Sequence, residues 1–388
     1  MSVALLTYST KPRGGVVHTL ALAEALHAVG SPVQVLALGD PAAGFFRPVQ
    51  APVTVVPGPS GAASLEEKVA ASIDALTSAL RGVDADVLHA QDCISARAAA
   101  RVRDAGAPVT VVRTVHHVDD FTSAVLMDCQ REAILEPDVV LAVTEVWRRT
   151  LAADYGVAAQ VVPNGVDVER YASASPGRSA QLRRSVGAAD RPLLLAVGGI
   201  EPRKGSDSLV RAVSLLAREG VRPVLAVVGG HSFQDHRAYK EAVLAELPRL
   251  GLGLGVDVVA VGTVPDEDMP AWYAAADVLA FPSVKEGFGL AVLEAMSAGV
   301  PVVTSDLPVF REYLVAGRDA LLVSVGDVPA LAAALRAALF DDELRGRLVA
   351  AGRAVAGRFT WQQSARRHQD VYARLCRTAN ASGAAAQG

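Results

Sequence analysis

The chain has 388 residues, of which 51% are hydrophobic and 20% are charged, a composition typical of globular proteins and unlike that of disordered chains. Because this length exceeds the range in which a single hydrophobic core usually grows, two domains are expected. The formal net charge is −4, and the segment up to Asp167 carries 18 acidic against 12 basic residues, so binding to nucleic acid is not expected.

Cysteine usage and hydropathy indicate the cellular compartment. Cys93, Cys129 and Cys376 are far apart and lack the spacing of a zinc site or a disulfide framework, which favours a reducing, cytoplasmic environment. Residues 1–10 lack the features of a signal peptide, and no run of 18 apolar residues predicts a membrane span. No metal or other cofactor is predicted, and the sequence does not specify the oligomeric state.

Short apolar, β-branched runs recur along the first half of the chain, with amphipathic segments of helical length between them. Continuous apolar runs are typical of strands covered on both faces, as in a parallel sheet wrapped by helices. The predicted strands are residues 3–7, 33–38, 87–89, 109–112, 139–143 and 161–162. Residues 1–168 are therefore predicted to form a doubly wound α/β domain.

Two polar segments follow strands of this first half. Gly14 and Gly15 open a predicted helix after the first strand, without the GxGxxG spacing of dinucleotide enzymes, and this disfavours an oxidoreductase. His116 and His117 follow the strand at 109–112, at the sheet edge where α/β proteins contact their ligands. His116 is therefore a candidate ligand contact.

The same pattern restarts after a segment at residues 171–178 that contains Pro, Gly and Ser. The predicted strands are residues 193–197, 224–228, 256–261, 278–281, 301–304 and 320–323. Residues 169–360 are therefore predicted to form a second Rossmann-like domain. Because ligands of such sheets bind beyond the carboxyl ends of the strands, two facing domains are expected to place the reaction in a cleft between them.

Arg203 and Lys204 lie between the strand at 193–197 and the next predicted helix. Two adjacent cations at such a place can neutralise a diphosphate, arginine by a bidentate fork and lysine as a point charge. Surface Arg-Lys pairs are common, so this pair alone does not predict a binding site, and its interpretation depends on the other motifs of the second domain.

A glycine-containing loop between a strand and a helix carries the strongest signal. Glycines let the backbone approach a ligand closely, and free amides at a helix start attract anions or hydroxyl oxygens. Glu286 and Glu294 are eight residues apart, which is about 12 Å along a helix and too far for the paired carboxylates of glycosidases. The candidate residues of this segment are Glu286, Gly287, Phe288, Gly289, Leu290 and Glu294.

These segments together resemble the GT4 family of retaining, GT-B fold glycosyltransferases, and the likeness covers nearly the whole chain. The spacing from Glu286 to Glu294 matches the E-x7-E motif of that family in its usual EGFGL setting. Further likeness lies in the Gly14-Gly15 loop and in residues 114–116, 162–167, 262–264 and 359–361.

The resemblance implies a role for each candidate residue and a metal-independent reaction that retains anomeric configuration. The donor is implied to be a nucleotide diphosphate sugar, UDP- or GDP-linked, which is a co-substrate and not a cofactor. A last helix at 361–376 is implied to pack back on the first domain, before a disordered tail at 377–388. The implied contacts are Glu286 and the amides of Phe288 to Leu290 for the sugar, Glu294 for the ribose hydroxyls, Arg203 and Lys204 for the diphosphate, Val264 near the base, and His116 near the sugar and acceptor.

One residue departs from the family pattern. The family commonly has an arginine directly after the glycine at Gly198, and this chain has Gly199 there; Arg203 is the candidate replacement for the missing charge. A nucleotide-sugar 2-epimerase of the same architecture and a catalytically silent sugar-nucleotide binding protein are the alternative hypotheses. The acceptor, whether a small molecule, a glycan or a lipid-linked sugar, depends on N-terminal loops such as residues 57–64, and the acidic first half gives membrane association no support.

Overall fold

A computed structural model describes residues 1–61, 64–230 and 236–385, with side chains described as far as residue 375. The chain divides into two compact units, one formed by residues 1–165 with 361–388 and the other by residues 166–360. Each unit contains one parallel sheet with helices, which confirms the predicted α/β class.

The first unit is built on a seven-stranded sheet in the order β3-β2-β1-β4-β5-β6-β7, with every neighbouring pair parallel. Its strands are β1 (Val3–Thr7), β2 (Val33–Gly39), β3 (Val53–Pro57), β4 (Val87–Ala90), β5 (Thr110–Val115), β6 (Val139–Ala142) and β7 (Gln160–Val161). Its first five helices are α1 (Gly14–Ala28), α2 (Leu65–Leu80), α3 (Cys93–Asp104), α4 (Ala124–Leu135) and α5 (Glu145–Tyr155).

Strand order in this sheet reverses at β1, which pairs with β2 on one side and β4 on the other. A crevice forms beyond the carboxyl ends of two such strands, because their following connections leave in opposite directions. The loop containing Gly14 follows β1, and Gln91 follows β4. The candidate residues Gly14 and Gly15 therefore lie at the place where doubly wound sheets bind ligands, and His116 follows the adjacent strand β5.

The second unit is built on a six-stranded parallel sheet in the order β10-β9-β8-β11-β12-β13. Its strands are β8 (Leu193–Val197), β9 (Val224–Val228), β10 (Val258–Gly262), β11 (Val278–Phe281), β12 (Val302–Ser305) and β13 (Leu321–Val323). Its helices are α6 (Val168–Ala172), α7 (Pro176–Ser185), α8 (Ser206–Arg218), α9 (Arg237–Glu246), α10 (Met269–Ala275), α11 (Leu290–Ser297), α12 (Pro308–Arg311), α13 (Val328–Phe340) and α14 (Asp342–Ala356), with short 3₁₀ helices at Pro202–Lys204 and Asp266–Asp268.

In this second sheet the order reverses at β8, which pairs with β9 and with β11. The loop after β8 carries Arg203 and Lys204, and the loop after β11 carries Glu286. Because β8 and β11 are parallel neighbours, their carboxyl ends lie side by side, and the two loops with the strongest sequence signals become neighbours.

The last helix, α15 (Trp361–Ala385), belongs to the first unit and packs against α1. The centres of the Trp361 and His18 rings are 5.4 Å apart in an edge-on contact. The segment suggested as a tail, residues 377–388, contains the end of this helix, and residues 386–388 lie outside the description. Among the described helices, none has both the length and the apolar character needed to cross a membrane.

Candidate active site

Gly205 brings the two central loops of the second unit together. Its backbone φ is +64°, and a Cβ atom at this position would lie 2.1 Å from the carbonyl oxygen of Pro282. Only glycine permits this approach, because any side chain would collide with the backbone that follows β11. The 3₁₀ turn of Arg203 is thereby held against the opposite loop, and the amide of Val284 donates a 2.8 Å hydrogen bond to the Arg203 carbonyl oxygen.

Three charged side chains converge at this junction. Lys204 Nζ lies 2.7 Å from Glu286 Oε1, and Arg203 Nη1 lies 3.1 Å from the same oxygen. Glu286 is 7% exposed, and the Lys204 ammonium also lies 4.5 Å from the centre of the Phe281 ring. Two cations thus contact one carboxylate, and the buried carboxylate of Glu201 also acts on Lys204.

The charges in this cluster fix the protonation state of Glu286. Burial raises the pKa of its carboxyl group, but the adjacent charges of Lys204 and Arg203 outweigh burial and lower this pKa to about 2. Burial lowers the pKa of Lys204, and the charge of Glu286 opposes that shift. Glu286 is consequently ionised near neutral pH, so it can accept hydrogen bonds but cannot serve as a general acid.

The glycine loop after Glu286 leads directly into α11. Gly289 has a φ of +89°, and a Cβ atom there would lie 2.4 Å from the Phe310 ring, so this position requires glycine. The Tyr313 hydroxyl donates a buried 2.7 Å hydrogen bond to the Phe288 carbonyl oxygen and so restrains the loop. No described side chain caps the start of α11, so the backbone N–H groups of its first turn are candidates for donating hydrogen bonds to a ligand.

Glu294 belongs to a second hydrogen-bonded cluster of the same unit. The Tyr273 hydroxyl donates a 2.5 Å hydrogen bond to Glu294 Oε2, and the Tyr171 ring packs edge-on against the Tyr273 ring, with ring centres 5.4 Å apart. Burial raises the pKa of Glu294, while the two hydroxyls and the charge of Arg170 oppose this effect. Asp266 engages the Arg170 guanidinium at 2.7 Å.

The strand ends beside this cluster carry little side-chain volume. Gly199 after β8 and Gly230 after β9 face each other so closely that a Cβ atom on Gly199 would lie 2.9 Å from the Gly230 carbonyl oxygen. Thr263 follows β10 and approaches Gly230, with Val264 next to it and partly buried. Because glycine has no side chain, the backbone at these strand ends is itself no steric obstacle to close contact with a ligand.

The first unit holds His116 in a defined orientation. His116 Nε2 lies 3.0 Å from Gln91 Oε1, and a Cβ atom on Gly15 would lie 3.8 Å from the His116 ring. Burial, followed by the charge of Arg113, lowers the pKa of His116, which is therefore neutral at pH 7. Since an amide oxygen only accepts hydrogen bonds, Nε2 carries the proton and Nδ1 is an acceptor.

Of the predicted site residues, the structure brings Arg203, Lys204 and Glu286 together, with the loop of Gly287, Phe288, Gly289 and Leu290 beside them. Sequence reasoning missed Tyr171, Tyr273 and Gln91, because tyrosines in apolar helices and a lone glutamine after a strand resemble ordinary core residues. The one sequence feature that could have indicated them is position: Gln91, for example, directly follows strand β4, which the sequence predicted. Within the described side chains, no group of three or more His, Cys, Asp or Glu is arranged to hold a metal ion.

Solved structures resemble this fold over nearly its whole length. The structure of Anabaena HepE in complex with UDP and glucose matches with a TM-score of 0.81, at 21% identity, over 96% of this chain and 99% of that one. The Thermosynechococcus elongatus sucrose-phosphate synthase matches with a TM-score of 0.81, at 20% identity, over 97% and 100%. The class of protein is therefore the GT-B fold, as predicted.

Two family models divide the chain between them. The model "Glycosyltransferase Family 4" matches residues 12–170, and the model "Glycosyl transferases group 1" matches residues 179–355. The D-inositol 3-phosphate glycosyltransferase of Corynebacterium jeikeium is 30% identical over 85% of this chain and 83% of its own length. The chain belongs to the GT4 family of glycosyltransferases, which confirms the resemblance drawn from its motifs.

A further relative is the GDP-mannose-dependent alpha-(1-6)-phosphatidylinositol monomannoside mannosyltransferase of Mycolicibacterium smegmatis. It is 34% identical over 56% of this chain, and the match spans 57% of its own length, less than two thirds. Together these proteins favour a transferase over the 2-epimerase and over the silent binding protein.

Proposed function

We propose that the protein transfers a hexose from a GDP- or UDP-linked donor to a hydroxyl acceptor, with retention of anomeric configuration. The observation that carries this proposal is the meeting of Lys204 and Arg203 on Glu286 at the carboxyl ends of β8 and β11. A site with two cations and one buried carboxylate suits a ligand that is anionic at one end and rich in hydroxyls at the other.

The cations act on the leaving group. When the bond between the anomeric carbon and the diphosphate breaks, negative charge develops on the departing phosphate oxygen. Lys204 and Arg203 lie where they can stabilise that charge, and a preorganised, partly dehydrated site makes this interaction stronger than in water. Arg203 thereby supplies the charge that the family places at the position of Gly199.

Glu286 and the start of α11 hold the donor sugar. Glu286 is ionised and accepts hydrogen bonds from sugar hydroxyls, and the uncapped N–H groups from Phe288 to Leu290 donate to sugar or phosphate oxygens. Glu294, which is partly exposed, accepts hydrogen bonds from the ribose hydroxyls, and Val264 lies near the base. His116 and the Gly14-Gly15 loop in the first unit contact the transferred sugar and acceptor, with His116 Nδ1 as the hydrogen-bond acceptor.

The names of the relatives suggest the substrates to test first. One relative is named as GDP-mannose-dependent and another as acting on D-inositol 3-phosphate. We therefore propose GDP-mannose as a first donor and an inositol-containing molecule, free or lipid-linked, as a first acceptor. Cytoplasmic action is proposed because the described cysteines, Cys93 and Cys129, are free thiols.

A panel of nucleotide sugars and inositol-containing acceptors tests this function. The expected result is a new glycoside whose anomeric configuration, measured by NMR, equals that of the donor. Lys204→Ala and Glu286→Gln are expected to lower kcat/KM by at least about a hundredfold, because each removes a charged contact at the reacting diphosphate or sugar.

Exposed Glu343, which pairs with Arg347 on α14, provides the matched control. Glu343→Gln should leave the rate unchanged. Unaltered rates in the Lys204 and Glu286 variants contradict the site assignment. Absence of binding and turnover with every donor contradicts the function itself. A glycoside of inverted configuration contradicts retention, and an epimerised product formed without consumption of acceptor contradicts transfer.

A further inference from the structure

The carboxylate of Glu294 is held from the interior of the second unit by two phenols. Tyr273 is fully buried and Tyr171 is 6% exposed, whereas Glu294 is only partly buried. The Tyr273 hydroxyl lies 2.5 Å from Glu294 Oε2, and the Tyr171 hydroxyl is near enough to influence the pKa of the same carboxyl group. The phenols therefore lie on the interior side of the carboxylate, and Glu294 keeps part of its surface exposed.

The two phenols form one rigid arrangement with each other. Their ring centres are 5.4 Å apart with planes at 83°, an edge-to-face contact that restricts both rings. Tyr273 lies on α10, Tyr171 on α6 and Glu294 on α11, and α6 packs against both other helices. Three separate helices thus fix the direction of a single carboxylate.

Arg170 is close enough to lower the pKa of Glu294 but is bound elsewhere. Its guanidinium donates to the Asp266 carboxylate at 2.7 Å and to the Asp266 carbonyl oxygen at 2.6 Å. It also lies over the Tyr171 ring, 5.3 Å from the ring centre. The arginine is thereby kept from forming an ion pair with Glu294, which would occupy the carboxylate.

The hydrogen-bonding capacity that remains on Glu294 matches a diol. An ionised carboxylate has about four lone-pair positions, and the Tyr273 hydroxyl occupies one of them. At least two of the other positions can accept hydrogen bonds from two adjacent hydroxyl groups. We infer that Tyr171 and Tyr273 are positioning residues that orient Glu294 toward the ribose diol of the donor, and so set the preference for ribonucleotides over deoxyribonucleotides.

This inference rests on the proposed function, and a binding experiment separates the two. Dissociation constants of GDP, UDP and their 2′-deoxy counterparts are measured by calorimetry for the full chain. The wild type is expected to bind one ribonucleotide about tenfold or more tightly than its deoxy form. Tyr273→Phe and Tyr171→Phe, which keep the ring but remove the hydroxyl, should each reduce that ratio about three- to tenfold.

Tyr239→Phe is the matched control, because its hydroxyl also bonds a carboxylate of the second unit, Asp207 at 3.0 Å. It should leave the ratio unchanged. In a Glu294→Gln background, adding Tyr273→Phe should produce no further change in the ratio, because the oriented carboxylate is already gone.

Three results overturn the inference while leaving the proposed function intact. They are a wild type that binds both forms equally, a ratio that survives both phenylalanine substitutions, and a substitution that weakens both ligands by the same factor, which is the mark of a purely structural role. Failure of the wild type to bind any of the four nucleotides contradicts the proposed function and the inference with it.

Discussion

At the residue scale, the backbone explains why Gly199 is not an arginine. Its φ is +83°, a region that costs residues with a Cβ atom about 1 to 2 kcal/mol. A Cβ atom would also lie 2.9 Å from the Gly230 carbonyl oxygen, which is backbone and cannot rotate away. Arg203, on a turn that Gly205 holds against the neighbouring loop, remains the proposed replacement for that charge.

Gly199→Arg is accordingly expected to lower, and not restore, donor binding. We predict that Gly199→Ala and Gly199→Arg each reduce the free energy of unfolding by at least about 1 kcal/mol, measured by urea denaturation. Gly346→Ala, on α14 with no atom within 4 Å of the new methyl group, should instead raise it by about 0.5 to 1 kcal/mol. A stable Gly199→Arg protein with tighter nucleotide binding would contradict this account.

At the element scale, α15 is anchored in the first unit by buried, neutral histidines. His368 Nδ1 donates a 2.9 Å hydrogen bond to the Ser364 carbonyl oxygen, and the Tyr372 hydroxyl lies 2.6 Å from His89 Nδ1. Burial lowers the pKa of His368 to about 4 and lowers that of His89 and His18 in the same direction. These rings resist protonation because a charged imidazolium in this core has no water to solvate it.

The pH dependence follows from the sign of these shifts. The unfolded chain takes up protons below about pH 6.5, whereas folded His368 does so only near pH 4, so stability falls as pH drops from 6.5 to 4. For His368 alone the loss is about 3 kcal/mol. We predict that His368→Leu flattens the pH dependence of the unfolding free energy in this window, measured by denaturation at several pH values.

The exposed His27 on α1 is the control. His27→Leu should leave the pH dependence of stability as it is in the wild type. A His368→Leu protein that loses stability as steeply as the wild type between pH 6.5 and 4 would show that other groups control acid unfolding, and would contradict the proposed anchoring by a neutral ring.

The elements themselves were largely predictable, for a physical reason. β1, β8, β9 and β11 have the predicted bounds because buried parallel strands form continuous apolar runs. The strand β3 was missed, since it lies at the sheet edge with half-exposed residues such as Val53, where the apolar signal weakens.

The candidate site was predictable only where loops carry motifs. Glu286 and Lys204 were found because charged residues beside glycines follow strands. The Tyr171 and Tyr273 partners of Glu294 come from helices separated by about a hundred residues, and no local pattern records such a contact. Nor does the sequence pattern reveal that Arg203 and Lys204 share one oxygen of Glu286, because that depends on the adjacency of β8 and β11.

At the scale of the whole molecule, the proposed contacts to the nucleotide part of the donor fall within residues 166–360, whereas the buried histidines His18, His89 and His368 lie in the other unit. A ligand that binds only the folded state stabilises it, by about 2.7 kcal/mol at a hundred times its dissociation constant. Local protection should therefore be unequal between the units. We predict that GDP or UDP slows amide hydrogen exchange at residues 198–205 and 284–294 and leaves the core strand around His89 unchanged.

At a nucleotide concentration that saturates the wild-type protein, Lys204→Ala should abolish that protection, because the diphosphate loses its buried cation. Exchange measured by mass spectrometry on the full chain distinguishes the outcomes by position. Protection centred on the buried histidines, with none at the loops after β8 and β11, would place the nucleotide in the first unit. Arg203, Lys204 and Glu286 would then form a structural ion cluster. If these side chains contacted the diphosphate, ligand binding would shield the backbone around them and slow its hydrogen exchange.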